Sequence, residues 1–558
     1  MHETKVPRGE RVAAMATNVL LAAVAALLLI FALAGGLERI ISIIPDDAAY
    51  YLGIAENVAR GAGETFDGVN ATNGYQPLWL YLLSALYRLH TAAPGTMLRA
   101  VLVLQAILLI VASVLLYRWC VRFIPRRVIL PVAILFLVFV AVPAVNGMES
   151  AILVTMLTLL IVLGWKVGVT GPSSFAMDLL FGMVTGLVVL ARLDMVFLPA
   201  VVCALCLWRA IAGRADRIAY IRKAVAAGLG TALIVAPYLI RNYLVYGAVM
   251  PISGALKSSF PHASPSGYAF SRLGTGERAA VLVAVLYLAW AVLKAGRVGA
   301  AKRHRRGARD RDEAAGPRAG AGAPGLDYFE LTVAVLSATV VLHVLHTVLF
   351  MKWAIFKWHF LVYLYTAALA LCVPAARLFR RESPVPYRTA YWVGVAMLAG
   401  LCGFFVAERY GNRSTAVWGV ASYRAACWAR EHTPPDAVFA MKDAGYFGYF
   451  SRRSVINLDG VVNNREYQEA IRERKVNAYL AGMHVDYLVQ HAFWDRDDIN
   501  DGTYAFFPAT YTSRLYGTES DTVLLRREWE VYRSEPYLDG PYRTVFLIWK
   551  LGGRRDTG

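Results

Sequence analysis

Apolar stretches of about membrane length begin near residues 13, 97, 128, 150, 176, 195, 223, 278, 328, 359 and 389, with short polar joints between them. Roughly 20 apolar residues span the hydrocarbon core as a helix, because a lone segment there must satisfy its own backbone polar groups. The chain is therefore expected to be a polytopic α-helical membrane protein with about eleven transmembrane helices. Its composition agrees: 58% hydrophobic and 17% charged residues are more apolar material than a soluble core of 558 residues needs.

Charge sets the expected topology. The formal net charge is +18, yet residues 407–558 carry 20 Lys+Arg and 20 Asp+Glu, so the excess belongs to the apolar part. There it gathers in clusters: Lys5 to Arg11, Arg118 to Arg127, Lys166, Arg209 to Lys223, Lys294 to Arg318 and Arg377 to Arg388. Basic joints stay cytoplasmic. These alternate correctly if the N-terminus is inside and Gln76 to Leu89, short for a span, dips into the outer leaflet without crossing. The pattern places the chain in an inner or plasma membrane and argues against nucleic acid as a partner. The apolar run at 13–34 is too long and uniform for a signal peptide and reads as a retained signal anchor.

The expected division is a membrane domain over 1–406, with its first outer loop at 35–96, and a soluble extracytoplasmic α/β domain over 407–558. Residues 299–325, rich in Arg, Ala, Gly and Pro without an apolar period, read as a flexible cytoplasmic loop. In the tail, Tyr423 to His432 reads as a helix stopped at Thr433-Pro434-Pro435-Asp436, and AVFAMKD, SVINLDG and VDYLVQ read as strands. Only Cys427 of the six cysteines falls in the tail, so no disulfide forms within it. Cys203 and Cys206 have CxxC spacing, but inside an apolar helix they read as packing residues.

Chemistry points to Asp46-Asp47, just after the first span. Tyr51, Ile54, Ala55 and Val58 follow helical spacing, which predicts a short amphipathic helix lying on the outer leaflet. An Asp at its start caps free N–H groups and is kept ionised by the helix dipole. That accounts for one carboxylate. Successive positions point about 100° apart, so the other faces a site, where two carboxylates repel unless a cation or a proton donor intervenes. Asp46, beyond the helix proper, is the first choice as base, with Asp47 the alternative. Downstream, Asn73, Tyr75 and Gln76 lie among amides and aromatics that suit a sugar, although such aromatics also anchor at interfaces. Glu149 opens a span on the same side, as a helix N-terminal charge, a second acid or a metal ligand. Arg192 and Asp194 interrupt an apolar stretch and are expected to pair. Arg241, Lys257, Lys352, Lys357 and His359 stand on the side that the charge rule depletes. An anionic ligand such as a phosphate would explain them, with snorkelling to lipid headgroups as the alternative. His343 and His346, within a span, read as packing residues.

Asp46-Asp47-Ala48-Ala49-Tyr50, Ala55-Glu56-Asn57, Gly61-Ala62-Gly63 and Thr72-Asn73-Gly74-Tyr75-Gln76-Pro77-Leu78-Trp79 resemble the first outer loop of the GT-C superfamily of integral-membrane glycosyltransferases. Within it they look most like bacterial arabinofuranosyltransferases that use decaprenyl-phosphate arabinose. Gly147-Met148-Glu149-Ser150, Ala191-Arg192-Leu193-Asp194 and the joint from Tyr246-Gly247 to Lys257 are similar to later positions of that group. The resemblance implies transfer of a sugar from a polyprenyl-phosphate donor to a cell-envelope glycan or glycolipid acceptor, with inversion. Asp46 or Asp47 would be the general base, and Lys257, Lys352, Lys357 or His359 would stabilise the departing lipid phosphate. No cofactor is required on this reading, and a divalent cation at Glu149 stays open. The rivals are a lipid or solute transporter or flippase, a lipid-linked phosphotransferase, and a non-catalytic envelope-assembly scaffold. A transporter predicts charges deep in several spans, whereas most charges here sit at joints.

Overall fold

A computed structural model of the chain describes residues 8–167, 173–212, 217–271, 273–309, 324–378, 417–493, 503–506, 521–539 and 542–551, with scattered positions between 389 and 407. From the N-terminus run α1 (Arg8–Ala34), α2 (Leu37–Ile41), α3 (Asp47–Ala59) and α4 (Pro77–Leu89). Then come α5 (Pro94–Cys120), α6 (Arg126–Phe136), α7 (Val142–Ala144), α8 (Ser150–Val167), α9 (Phe175–Ala191) and α10 (Phe197–Ala212). The membrane half is completed by α11 (Arg217–Tyr246), α12 (Ile252–Lys257), α13 (Thr275–Arg309), α14 (Pro324–Phe350) and α15 (Leu361–Leu378).

Among the described residues eight helical segments are long and apolar enough to cross a membrane, and α8 and α9 are shorter apolar helices. These ten answer the stretches expected from 13 to 359, and the one near 389 falls largely outside the described residues. The protein is a multi-pass membrane protein. The span α6–α7 is continuous only because its backbone widens into a π turn at Leu137–Ala141. Pro143 follows at once, and a proline's ring clashes with the preceding turn while supplying no N–H, which a π turn relieves. The thirteen residues of α4 cover only about 20 Å, short for a span.

Two expectations fail here. Residues 299–309, read as part of a flexible loop, continue α13 as helix, while 310–323 lie outside the described residues. Ala, Lys and Arg are strong helix formers, and extending an existing helix avoids the nucleation cost. Nor does α3 lie on a leaflet. Eight of its thirteen residues are buried, from Ala48 through Leu52 and at Ile54, Ala55 and Glu56, because it is packed between α4 and the tail.

The tail begins, among the described residues, at Val417. Helix Trp418–His432 leads to β1 (Val438–Met441), helix Gly445–Ser451, β2 (Ser454–Asn457), helices Arg465–Arg472 and Val476–Gly482, and β3 (Tyr487–Phe493). The strands β4 (Thr503–Phe506), β5 (Val523–Arg526), β6 (Glu530–Arg533), β7 (Tyr537–Asp539) and β8 (Tyr542–Lys550) follow. The sheet order is β2-β1-β3-β8-β6 with β7 also on β8, and β4 pairs with β5 apart from it. Strand β1 is parallel to both neighbours, in register Ala440↔Ile456 and Ala440↔Leu488, while β8 closes antiparallel on β3. Parallel strands need helical crossovers, which sends their carboxyl ends to one edge. That edge faces α3. One apolar core runs without a break from Leu28 and Trp79 through Tyr365 to Phe439, Phe447 and Val455, so the two halves share a core.

Candidate active site

The first loop is held by the tail as firmly as by its own bundle. Asp46 makes no side-chain cap on α3. Its carboxylate instead accepts from Gly445 N at 2.8 Å and Tyr446 N at 2.5 Å, capping the tail helix Gly445–Ser451. Tyr50 Oη accepts from Ala444 N at 2.8 Å and Asn457 Nδ2 at 2.9 Å, and Tyr446 Oη donates to Ile44 O at 2.8 Å. Arg452 grips Glu56 through both terminal nitrogens at 2.7 and 2.8 Å, and Arg424 grips Glu38 through two bonds of 2.8 Å. Asp46 is thus a tether. Helix geometry assigns one carboxylate to a cap, but the cap belongs to another helix.

Asp47 stands free of such duties. It is half-buried, and among the described residues no donor bonds its carboxylate. Lys257, at the end of α12, is half-buried too, and among the described residues no carboxylate stands within ion-pair distance of it; its ammonium lies over the Trp353 ring at 5.6 Å. Burial pushes the Asp47 carboxyl above the ordinary carboxylate range; Lys257 pulls it down and Asp459 pushes it further up. Burial likewise lowers the Lys257 ammonium, opposed by Asp47, Asp459 and Glu149. Asp459, buried, comes from the turn after β2, where its Oδ2 accepts from Asp443 N at 2.5 Å. Beside it Lys442, buried at the end of β1, has its ammonium lowered by burial to about 8. The Lys257 ammonium is thus acted on by two acids, one from each half of the chain, and pairs with neither among the described residues.

From α3 a polar chain runs into the bundle. Glu149 is 3% exposed and accepts from Tyr51 Oη at 3.0 Å; Tyr51 Oη in turn accepts from Gln76 N at 3.1 Å, and Gln76 Oε1 accepts from Leu193 N at 2.9 Å. Burial raises the Glu149 carboxyl, with Arg192 the chief opposing charge. The turn carrying Glu149 is built from below by Gln105, whose side chain takes Asn146 N, Gly147 N and Met148 O, and is closed by Trp79 Nε1 on Gly147 O. Gly147 has φ +78°, and a Cβ there would stand 2.6 Å from the Ala48 Cβ, so glycine is required beside α3. Arg192 and Asp194 pair as expected, at 2.8 Å, and His343 Nε2 lies 3.2 Å from Asp194 with its Nδ1 on Tyr363 Oη at 2.5 Å. His343 therefore belongs to this network.

The other candidates divide. His359 is half-buried, and among the described residues its Nδ1 bonds nothing. Arg241 is spoken for by Glu64 at 2.5 Å, a carboxylate that also accepts from Tyr246 and Tyr81. Asn73 caps α12 through Ile252 N at 2.8 Å, so it places Lys257. Tyr75 is buried with an unbonded hydroxyl. Gln76 is a structural tie. Lys352 bonds through its backbone N to Lys257 O at 2.9 Å, and Lys357 is exposed. Among the described residues no three His, Cys, Asp or Glu side chains group as metal ligands. Sequence reasoning missed Asp459, Lys442 and Asn457. The signal was present in AVFAMKD and SVINLDG, since the ends of parallel strands mark the ligand edge of an α/β sheet.

Residues 413–537 match the model of a domain of unknown function (DUF8728). Nothing among curated proteins matches the chain. Among solved structures the chain resembles ArnT from Cupriavidus metallidurans bound to undecaprenyl phosphate, with 11% identity, a TM-score of 0.50, and 95% of this chain and 97% of that one covered. It also resembles the archaeal oligosaccharyltransferase AglB from Archaeoglobus fulgidus, in complex with an inhibitory peptide and a dolichol-phosphate, with 13% identity, a TM-score of 0.49, and 84% and 69% covered. The likeness to ArnT runs over nearly the whole of both chains, and this protein accordingly shares the fold of that structure.

Proposed function

We propose that this protein is a membrane glycosyltransferase that moves a sugar from a polyprenyl-phosphate donor to a hydroxyl of an extracytoplasmic glycan or glycolipid, with inversion. The observation that carries the proposal is that Asp47 and Lys257 are both half-buried and act on each other electrostatically, and that among the described residues neither has an ion-pair partner. A desolvated ammonium without a carboxylate partner is costly unless an anion visits it. Asp47 takes the proton of the acceptor hydroxyl as its oxygen bonds to the anomeric carbon. The bond from that carbon to the phosphate oxygen breaks, and the polyprenyl phosphate leaves with one further negative charge, which Lys257 stabilises and His359 can assist. Arg192, tied to Asp194, keeps positive potential behind Glu149. The lipid-phosphate donor is supported by the ArnT structure, which holds undecaprenyl phosphate; arabinofuranose as the sugar is supported by the first-loop motifs.

The test is to incubate the purified protein with a panel of polyprenyl-phosphate sugars, decaprenyl-phosphate arabinose among them, and a glycan acceptor. Wild type is expected to transfer, and Asp47→Ala to lose transfer while remaining folded. Full transfer by Asp47→Ala would overturn the general-base assignment, and no transfer from any donor would favour a scaffold.

A further inference from the structure

Lys257 sits on a helix too short to hold itself. α12 runs for only six residues, Ile252–Lys257, its N-cap Pro251 makes no side-chain cap, and so short a helix is unstable by itself. Its direction is therefore set by what grips its ends. At the far end Lys257 O accepts from Lys352 N at 2.9 Å, Ser258 pairs with Met351 in a single antiparallel bridge, and the Lys257 ammonium lies over the Trp353 ring. At the near end both backbone groups of the buried Ile252 are taken: its N–H donates to Asn73 Oδ1 at 2.8 Å, and its carbonyl accepts from Gln468 Nε2 at 3.1 Å. Asn73 belongs to the first loop and Gln468 to the tail helix Arg465–Arg472. That helix is itself fixed, because Asn464 caps it through Tyr467 N at 2.8 Å and donates to Asn70 Oδ1 of the first loop at 2.7 Å. First loop, tail and α12 close tightly here: a Cβ on Gly74 would stand 1.8 Å from Val461 O and 3.3 Å from Ile252 Cγ2. Gln468 is 5% exposed, so water does not readily replace its amide, and without it the start of α12 keeps Asn73 as its side-chain hold.

We infer that Gln468 is a positioning residue for Lys257: from the tail it fixes the start of α12, and so the place at which the Lys257 ammonium meets the phosphate of the lipid donor. The inference rests on the reading of Lys257 as the cation for that phosphate. An ammonium's attraction falls with distance and its hydrogen bonds weaken with angle, so a small pivot of α12 loosens the contact. The tail thereby takes part in the donor half of the site without touching the donor.

The test is the affinity of the detergent-solubilised full-length protein for decaprenyl phosphate, measured by isothermal titration calorimetry. Lys257→Gln is expected to weaken it, and Gln468→Met, near in size but with no N–H to give, to weaken it about tenfold, the worth of one hydrogen bond. Because Gln468 acts through Lys257, Gln468→Met is expected to add no further loss to the Lys257→Gln protein. In Gln468→Glu an ionised carboxylate cannot donate to Ile252 O whereas a protonated one can, so its deficit against wild type is expected to shrink as the pH is lowered. That variant also carries the test if Gln468→Met fails to fold. Unchanged affinity in the Gln468 variants, a Gln468→Glu deficit constant with pH, or an equal loss on top of Lys257→Gln overturns the inference and leaves Lys257 as the cation. Unchanged affinity in Lys257→Gln sinks the reading of Lys257 and the inference with it.

Discussion

Asp46 and Asp47 are chemically identical neighbours, and only their surroundings separate them. Asp46 accepts two backbone N–H bonds from the tail helix, whereas Asp47 accepts none among the described residues. General bases typically contribute 10²–10⁴-fold, so Asp47→Asn is expected to lower kcat by about that factor with the melting temperature unchanged. Asp46→Asn, whose amide still offers one acceptor, is expected to retain measurable transfer but to cost about 1–2 kcal/mol of stability in thermal unfolding. The pH profile of kcat/KM should be a bell. Its acid limb lies above the ordinary carboxylate range, because burial raises Asp47 and the base must be ionised; its alkaline limb lies below the ordinary lysine range, because burial lowers Lys257 and the ammonium must be charged. A profile flat between pH 5 and 10 would refute the pair.

At the scale of elements, the contact of α3 with helix Gly445–Ser451 decides where the acids stand. A Cβ at Gly445 would come within 2.3 Å of the Asp46 backbone oxygen and 2.6 Å of its Oδ2. Alanine is the better helix former by about 1 kcal/mol, so any loss in Gly445→Ala measures the forced separation of tail and first loop. Transfer is expected to fall at least tenfold, with the bundle's helical circular dichroism intact. The existence of these elements was legible in the chain. AVFAMKD and SVINLDG contain β1 and β2, and VDYLVQ most of β3, because alternation and turn residues are local signals. The burial of α3 was not, since Tyr50, Tyr51 and Glu56 owe it to partners some 100 to 400 positions away.

For the whole molecule, the continuous core and the Glu56–Arg452 and Glu38–Arg424 pairs make the tail part of one body with the bundle. A protease site engineered between Leu378 and Val417 should, after cleavage, leave both fragments co-eluting in detergent, and separation would show the interface to be weak. Transfer is expected to persist in EDTA. Lys257 offsets part of the negative charge of Asp47 and Asp459, and Glu149 is engaged by Tyr51; inactivation restored by a divalent cation would require a metal in the mechanism.

The sequence by itself determined the membrane class, the order of spans and the α/β nature of the tail, because hydropathy, periodicity and residue type act locally. Only the tertiary structure decided the partition of roles. It set Asp46 against the tail, gave Arg241 to Glu64, and left Asp47 and Lys257 without ion-pair partners among the described residues. Which charge finds a partner depends on distances between segments far apart in the chain, and these exist only once the two halves pack on one core.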